Sequence, residues 1–207
     1  TKFIDLYQIH RWDYETPIEE TLVALDQLVK DNKVGHIGAS SMYTWQFAKS
    51  LWTSNELDLQ RFETMTNFYN LCYREEEREM IPFCKDQNIS VLPYSPVAKG
   101  FLTGKYTRNE KNDTIRFKTD PRLAERFFKP EDFDVLEIVM QISNEKGVKP
   151  AQIALAWLLE KNTAPIIGVT KKSHVEDAVE SLNIKLTSND MKQLEEPYKM
   201  HPTTGYE

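Results

Sequence analysis

Residues 3–41, FIDLYQIHRWDYETPIEETLVALDQLVKDNKVGHIGASS, decide the fold of this chain. The opening run, Phe3 to His10, is apolar and rich in β-forming residues, and it is predicted to be a buried strand. A capping box with proline at the first helical position, Thr16 to Glu19, then predicts the start of a helix. Apolar residues recur at helical spacing up to about Lys33, and residues 34–41 return to a strand pattern. The stretch is therefore predicted to be one strand–helix–strand unit.

The same alternation continues along the chain. Further strands are predicted at residues 62–67, 89–94 and 165–169, each after a helical pattern. No hairpin signal joins neighbouring strands, so the five strands are predicted to run parallel with helical crossovers. A doubly wound sheet and a (β/α) barrel both satisfy this pattern, although a barrel needs eight strands in about 250 residues. The polar stretch 96–130 is too long for an ordinary connection, and we expect it to be a lid or disordered.

The composition is that of an ordinary globular protein and argues against several classes of function. The chain has 207 residues, 40% of them hydrophobic and 28% charged, and a net charge of −6 with both signs mixed along the sequence. This charge argues against nucleic acid or an anionic membrane as a partner. No apolar run approaches the roughly 18 residues of a membrane helix, and no leader is recognisable. The two cysteines lack ligand spacing and are expected to be reduced and packed, so we expect a cytoplasmic protein without a metal site.

Polar side chains gather at the predicted carboxyl ends of the strands, where ligands bind in both parallel α/β architectures. Taken singly, His10 also fits a hydrogen-bonded core histidine, and Tyr94 also fits core packing. The chain has neither the G-x-G-x-x-G nor the G-x-x-x-x-G-K-[ST] motif, which excludes a Rossmann fingerprint and a P-loop. The residues at this predicted edge are His10, Ser40, Ser41, Tyr94, Ser95 and residues 168–170.

Five blocks of the sequence, in the right order, resemble the aldo-keto reductases and are most similar to the fungal aryl-alcohol-dehydrogenase-like branch. The resemblance runs from Phe3 to about Tyr198. It implies an incomplete (β/α)8 barrel that starts at the fourth barrel strand, with residues 1–198 as one partial domain and residues 199–207 as a loose tail. It also implies NADP(H) bound in an extended form without a Rossmann motif. The blocks are residues 5–13 (DLYQIHRWD), 37–41 (IGASS), 69–75 (YNLCYRE), 92–105 (LPYSPVAKGFLTGK) and 165–168 (PIIG).

The resemblance implies an oxidoreductase that interconverts aldehydes and alcohols by hydride transfer with NADP(H). The family's catalytic tetrad is an Asp, a Tyr acid, a Lys and a His. Only the His is present here, as His10, where it would orient and polarise the substrate carbonyl. No Asp of the chain has a Tyr five positions further on, so the Tyr that donates the proton has no counterpart. By the same resemblance, Trp12 would line the substrate mouth.

At the nicotinamide end of the cofactor, the resemblance assigns four residues. Ser40 matches the serine that binds the carboxamide, and Ser41 stands where many members of the family have Asn. Thr66 lies where the family places a Gln on the carboxamide. Tyr94 matches the aromatic residue that stacks on the nicotinamide face.

At the phosphate end, the resemblance assigns a pyrophosphate loop and a segment that binds the 2′-phosphate. Lys171 and Lys172 fall in the 2′-phosphate segment, where the alternative is a solvated helix start. His174 stands where an Arg is common, and a mostly neutral side chain makes a preference for NADP(H) over NAD(H) less secure. The other residues assigned to the cofactor here are Ser95, Gly100, Leu102, Lys105 and Gly168.

A second hypothesis is that this chain is a catalytically inactive truncated gene product or a cofactor-binding remnant. The chain opens Thr1-Lys2-Phe3 without a methionine, through either removal of the initiator or a missing N-terminal segment. A barrel lacking three strands would expose the strand edges at residues 3–10 and 165–169, and unpaired edges recruit other chains. This hypothesis predicts self-association, whereas the first predicts turnover of aldehydes with NADPH. A regulatory NADPH sensor is a third hypothesis, which nothing in the sequence favours.

Overall fold

The computed structural model describes residues 2–108, 118–120, 123 and 126–202. The chain divides into two compact units. The first consists of Thr1–Phe68, Glu76–Leu92 and Pro202–Glu207, and the second of Tyr69–Glu75 and Pro93–His201. Each unit contains its own helices and its own buried apolar side chains.

The described part of the first unit is a parallel sheet with helical crossovers. Its four strands follow one another in chain order, and every neighbouring pair runs parallel. The parallel α/β architecture predicted from the alternating pattern is therefore confirmed. The elements are β1 (Ile4–Gln8), α1 (Ile18–Lys30), β2 (Val34–Ser40), α2 (Thr44–Glu56), β3 (Thr64–Thr66), α3 (Met80–Asp86) and β4 (Ser90–Val91).

Apolar side chains from the sheet and its helices form the core of the first unit. Helix α1 buries Leu22 and Leu25 because residues three or four positions apart lie on the same face. They pack in one cluster with Ile37 of β2, Phe47 of α2 and Met65 of β3. This core holds the carboxyl ends of β2 and β3 in a fixed register.

The second unit is mainly helical in its described part. Helices α4 (Pro130–Lys146) and α5 (Pro150–Glu160) each have a proline at the first turn, where its missing N–H costs no hydrogen bond. Helix α5 is buried over Gln152 to Leu158, so that it forms the centre of this unit. The Thr187 hydroxyl accepts a hydrogen bond from the N–H of Asp190 and caps helix α7 (Ser188–Glu195). The elements are a 3-10 segment (Ala98–Thr103), α4 (Pro130–Lys146), α5 (Pro150–Glu160), α6 (Lys172–Ser181) and α7 (Ser188–Glu195).

The fifth predicted strand, residues 165–169, is represented by a single β-bridge. Ile166 pairs in parallel with Tyr94, and its N–H donates to the Pro93 oxygen at 2.7 Å. Ile166 and Val169 are each 46% exposed, so no described neighbour covers this segment to extend the pairing. Of the five strands expected from the sequence, four thus form the described sheet and the fifth contributes one bridge.

Residues 199–201 belong to the tail that was expected to be loose, and hydrogen bonds of His201 hold them within the second unit. The His201 main-chain N–H donates to Glu75 at 3.0 Å, and its ring lies 3.0 Å from a carboxylate oxygen of Asp132. Its ring also stacks on Tyr198, with 5.7 Å between the ring centroids. The rest of the tail, residues 203–207, lies outside the described residues, as does most of the polar stretch from residue 109 to residue 125.

Both cysteines are free and buried, as the sequence predicted. Burial raises the pKa of the Cys84 thiol to about 12, with a further contribution from the charge of Glu76. Burial, with the charge of Asp132, raises the pKa of Cys72 well above its usual value. These thiols stay protonated and serve as apolar packing groups.

Candidate functional site

Ser40, Ser41 and Thr66 meet at the carboxyl ends of β2 and β3 in the first unit. All three residues are buried. The Ser40 hydroxyl donates to the Thr66 main-chain oxygen at 3.1 Å, and the Ser41 N–H donates to the same oxygen at 3.1 Å. The two serine hydroxyl oxygens lie 3.2 Å apart. Three of the predicted carboxamide-binding residues therefore form one hydrogen-bonded cluster.

Gln8 belongs to this cluster, although sequence reasoning did not assign it to the site. Its side-chain nitrogen donates to the Thr66 hydroxyl at 2.6 Å and to the Thr64 hydroxyl at 3.1 Å. The signal that could have found it is the strand period, which places Gln8 on the same face as His10. We name the cluster of Gln8, Ser40, Ser41 and Thr66 the hydroxyl rim.

His10 lies two residues beyond the end of β1 and is exposed. It forms no hydrogen bond or ion pair with any residue that the structure describes. The alternative of a hydrogen-bonded core histidine therefore does not hold. Trp12 is half-buried against the core of the first unit, and its ring lies 6.0 Å from that of Trp45.

A cavity of about 530 Å³ lies in the second unit, a size usual for small-molecule sites. Its walls come from the segment 94–106, the start of α5, the segment 166–170 and α6. Chain segments far apart in sequence are thus brought to one cavity. Six of the residues assigned to the cofactor from the sequence line it: Tyr94, Ser95, Gly100, Lys105, Gly168 and His174.

The loop on one side of this cavity has an unusual backbone. Ala98, Lys99 and Gly100 follow one another with φ of 49°, 56° and 96°, and Ser95 has φ of 54°. The N–H groups of Ala98 and Gly100 are used within the loop, because they donate to the main-chain oxygens of Ser95 and Val97 at 2.9 Å each. The Asn70 side chain donates to the Ser95 oxygen at 3.2 Å and fixes the start of the loop. The loop is therefore an internally hydrogen-bonded turn that brings Ser95, Lys99 and Gly100 to the cavity wall.

The charged side chains at the cavity differ in whether they already form an ion pair with another residue. Lys105 is exposed and forms no ion pair within the described parts of the chain. Lys99 also lines the cavity but is paired with Asp120 at 2.7 Å. Asp177 is paired with Lys149 at 2.5 Å, which neutralises the only carboxylate among the lining residues described. Sequence reasoning did not assign Lys99 or Asp177 to the site.

Three of the cofactor residues predicted for the phosphate end do not line the cavity. Leu102 is fully buried in the interior of the second unit. Lys171 precedes α6 and Lys172 begins it, and both are exposed. Lys172 pairs loosely with Glu176 at 3.3 Å. His174 is the member of this segment that faces the cavity, and its Nδ1 lies 3.4 Å from the Thr170 N–H.

The sequence profile of the Aldo/keto reductase family matches residues 1–199 of this chain. The chain belongs to the aldo/keto reductase family. The family generally uses NAD(P)H and acts on small-molecule aldehydes and alcohols. No described helix of this family member is long and apolar enough to cross a membrane.

Two curated relatives of this family member are fungal proteins. It is 40% identical over 200 residues to the Saccharomyces cerevisiae protein named "Putative aryl-alcohol dehydrogenase AAD16", and the match covers 95% of this chain and 57% of that protein. It is 39% identical to versiconal hemiacetal acetate reductase of Aspergillus parasiticus, over 97% of this chain and 60% of that protein. The chain therefore spans about three fifths of the length of the relatives it matches.

The fold also matches a solved structure of the family. The crystal structure of the thermostable aldo-keto reductase Tm1743, in complex with the inhibitor epalrestat, superposes with a TM-score of 0.75. The match covers 95% of this chain and 61% of that one, at 24% sequence identity. At this identity the likeness concerns the fold.

The residues of this aldo/keto reductase fit a nicotinamide dinucleotide. Gly100 and Gly168 both line the cavity, and a Cβ added to either would have no heavy atom within 4 Å. The absence of side chains at these two positions leaves open space along the cavity wall. Together with the ammonium group of Lys105 and the aromatic ring of Tyr94, this gives the cavity an aromatic wall, open space and a cation that forms no ion pair within the described residues.

Proposed function

We propose that this chain carries the cofactor-binding and substrate-orienting part of an NADP(H)-dependent aldo-keto reductase that interconverts aldehydes and alcohols by hydride transfer. The observation that carries the proposal is the cavity of the second unit, which gathers six residues assigned to the dinucleotide from the sequence. These residues come from positions 94 to 174, so their meeting in one cavity is not a consequence of closeness in sequence. The relatives named for an aryl-alcohol dehydrogenase and a hemiacetal acetate reductase support carbonyl–alcohol chemistry.

In the first unit, His10 orients the substrate carbonyl and Trp12 borders the substrate. The exposed ring of His10 has both nitrogens available, so that one N–H can donate to a carbonyl oxygen. Such a hydrogen bond polarises the carbonyl and stabilises the negative charge that develops on its oxygen during reduction. Ser40, Ser41 and Thr66 bind the carboxamide of the nicotinamide.

In the second unit, Tyr94 stacks on the nicotinamide, and Ser95, Gly100 and Lys105 hold the pyrophosphate. When bound, NADPH supplies the hydride that reduces the carbonyl carbon. Lys171, Lys172 and His174 form the 2′-phosphate segment, as the resemblance implies. Since the imidazole of His174 stands in place of an arginine and lacks the fixed bidentate geometry of a guanidinium, we expect only a modest preference for NADPH over NADH.

Titration of the 207-residue chain with NADPH and NADH, followed by tryptophan fluorescence, tests the cofactor assignment. Lys105→Ala removes a charged contact to phosphate and is expected to weaken NADPH binding about tenfold or more. Lys185→Ala is the matched control, because Lys185 is also exposed in the second unit but does not line the cavity. The absence of saturable binding of either nucleotide would overturn the proposal.

A second candidate is a cofactor-binding protein without catalytic activity. It is favoured by the surroundings of His10, which has no proton-donating partner within the described residues. Both candidates predict NADPH binding, but only the first predicts NADPH oxidation in the presence of benzaldehyde. Turnover by this chain that is lost in His10→Ala supports the reductase, whereas binding without turnover supports the second candidate.

We also infer a cytoplasmic location. The support is the pair of free, buried thiols, Cys72 and Cys84, since cysteines in reducing compartments stay unpaired. A fluorescent fusion of the endogenous protein that localises to a membrane-bound compartment would contradict this inference.

A further inference from the structure

The side chain of Gln8 crosses the sheet of the first unit from β1 to β3. Its nitrogen donates to the hydroxyls of Thr66 and Thr64, although β2 lies between these strands. Gly38 of β2 makes the crossing feasible, because it is paired with Gln8 on one side and with Thr64 on the other. A Cβ at Gly38 would collide with the Thr64 hydroxyl and press against Gln8. The missing side chain on β2 therefore leaves the gap across which Gln8 reaches Thr66.

The contact from Gln8 fixes the direction in which the Thr66 hydroxyl bonds. An amide nitrogen is only a donor, so the Thr66 oxygen accepts the hydrogen of Gln8 at 2.6 Å. The Thr66 hydroxyl then keeps its own hydrogen for another acceptor. Gln8 thus makes Thr66 a donor toward any ligand at the hydroxyl rim.

The Ser40 hydroxyl, in contrast to that of Thr66, is left as a hydrogen-bond acceptor for a ligand. It donates its hydrogen to the main-chain oxygen of Thr66 at 3.1 Å, and a carbonyl oxygen is only an acceptor. The 3.2 Å contact between the hydroxyls of Ser40 and Ser41 therefore uses Ser41 as the donor. Ser40 can only accept from a ligand. Since Ser40 and Thr66 are paired residues on neighbouring strands, an acceptor and a donor stand side by side.

We propose that Gln8 is a positioning residue that prepares the hydroxyl rim for a primary carboxamide. A carboxamide has one carbonyl acceptor and one amino donor, the complement of the Thr66 donor and the Ser40 acceptor. This inference rests on the proposed function, in which the ligand is the nicotinamide carboxamide. Gln8 acts through Thr66, whose hydrogen it holds toward the ligand.

Binding constants of two nucleotides test this role in the 207-residue chain. One is NADPH, and the other is its 3-acetylpyridine analogue, in which a methyl group replaces the amino group and the carbonyl is kept. Ser40→Ala is expected to weaken the binding of NADPH about tenfold and to leave the binding of the analogue unchanged, because Ser40 contacts only the amino group that the analogue lacks. Gln8→Leu and Thr66→Val are each expected to weaken the binding of both nucleotides about tenfold, because both nucleotides keep the carbonyl group to which the Thr66 hydroxyl donates.

The ratio of the two binding constants separates positioning from general damage to the first unit. If Gln8 acts only through Thr66, Gln8→Leu leaves this ratio unchanged, since the contact of Ser40 with the amino group is kept. The double variant of Gln8→Leu with Thr66→Val then binds no more weakly than either single variant. Thr66→Ser keeps a hydroxyl at the same position and is expected to retain the affinity of the natural chain.

Two results would overturn the role of Gln8. One is that Gln8→Leu binds both nucleotides as tightly as the natural chain does. The other is that its ratio of the two binding constants changes to the value found for Ser40→Ala, which would show that the whole hydroxyl rim is disrupted. Adenosine 2′,5′-bisphosphate lacks the nicotinamide and serves as a reference that none of these variants should affect. If the natural chain binds neither this fragment nor NADPH, the proposed function fails and the role of Gln8 fails with it. If both bind and the Gln8 variant changes nothing, only the role of Gln8 fails.

Discussion

Two glycines at the cavity of the second unit differ in what a side chain would do there. A methyl group at Gly168 meets open space, and the backbone there lies outside the left-handed region. Gly100 also borders open space, but its φ of 96° strains any residue with a Cβ. A side chain at Gly168 is therefore expected to affect ligand binding, whereas a side chain at Gly100 is expected to affect the stability of the fold, although both residues line the same cavity.

We expect Gly168→Ala to weaken NADPH binding severalfold with little change in stability, because the added methyl narrows the cavity without touching the protein. Gly100→Ala is expected to lower the free energy of unfolding by about 1 kcal/mol or more, because of its positive φ. Urea denaturation and NADPH titration of both variants measure the two effects. A Gly168→Ala protein with unchanged affinity would remove Gly168 from the cofactor site.

Glu195 links acid stability to one cluster of the second unit. Burial raises the pKa of its carboxyl group, but hydrogen bonds from Lys161 and Trp157 and the charge of Arg74 outweigh this and lower the pKa below its ordinary 4.5. A carboxyl group with a lowered folded-state pKa stabilises the fold above its unfolded-state pKa. That contribution is lost as the pH falls through the lower, folded-state value.

We therefore expect the free energy of unfolding to fall as the pH drops below about 4.5, and part of this fall to be absent in Glu195→Gln. At neutral pH the same variant is expected to be less stable, because Arg74 and Lys161 lose their carboxylate partner. Urea titrations of both proteins between neutral pH and pH about 3 measure the difference. Parallel pH profiles for the two proteins would contradict the assignment to Glu195.

At the scale of the element, strand β1 lies at the edge of the described sheet. It pairs only with β2 among the described strands, and its side chains Ile4 and Tyr7 are 42% and 41% exposed. An exposed apolar edge strand recruits other chains. We expect the isolated chain to self-associate at micromolar concentration and Ile4→Lys to reduce this, as measured by analytical ultracentrifugation. A monodisperse monomer in the natural chain would contradict the expectation.

The elements also indicate which parts of the fold the sequence predicts. Alternation of strand and helix patterns predicts the parallel order correctly, because a crossover helix leaves a strong periodic signal. Strand lengths are overestimated: residues 62–67 and 89–94 contain the short strands Thr64–Thr66 and Ser90–Val91. A short apolar run indicates burial, but ladder hydrogen bonds depend on a neighbouring strand. For this reason residues 165–169 form only one bridge.

The candidate site is predicted only where a motif names its residues. Tyr94 and Gly168 lie in matching blocks of sequence, and His174 follows the last of these blocks. The structure places all three around one cavity. Asp177 has the appearance of a solvated helix residue, and its place at the cavity depends on how α6 packs. The role of Gln8 depends on strand register, because it reaches Thr66 only across a glycine of the intervening strand.

At the scale of the whole molecule, binding and catalysis make separate demands on this chain. The cavity of the second unit lies within one unit, whereas carbonyl reduction also requires an acid at the substrate oxygen. His10 is the residue that we propose to orient the substrate, and it forms no hydrogen bond with any described residue. We therefore expect the 207-residue chain to bind NADPH but to oxidise it slowly or not at all in the presence of an aldehyde.

A ligand that binds only the folded state raises stability by about 2.7 kcal/mol at a hundredfold excess over its dissociation constant. NADPH at that excess is therefore expected to raise the thermal midpoint of this chain by several degrees. NADPH oxidation with benzaldehyde in the same sample is expected to be slow or absent. In Lys105→Ala, which is expected to bind NADPH more weakly, the same NADPH concentration should raise the thermal midpoint by a smaller amount. Turnover at a rate usual for enzymes, on the order of 10 per second, would show that this chain provides a proton donor which its described residues do not reveal.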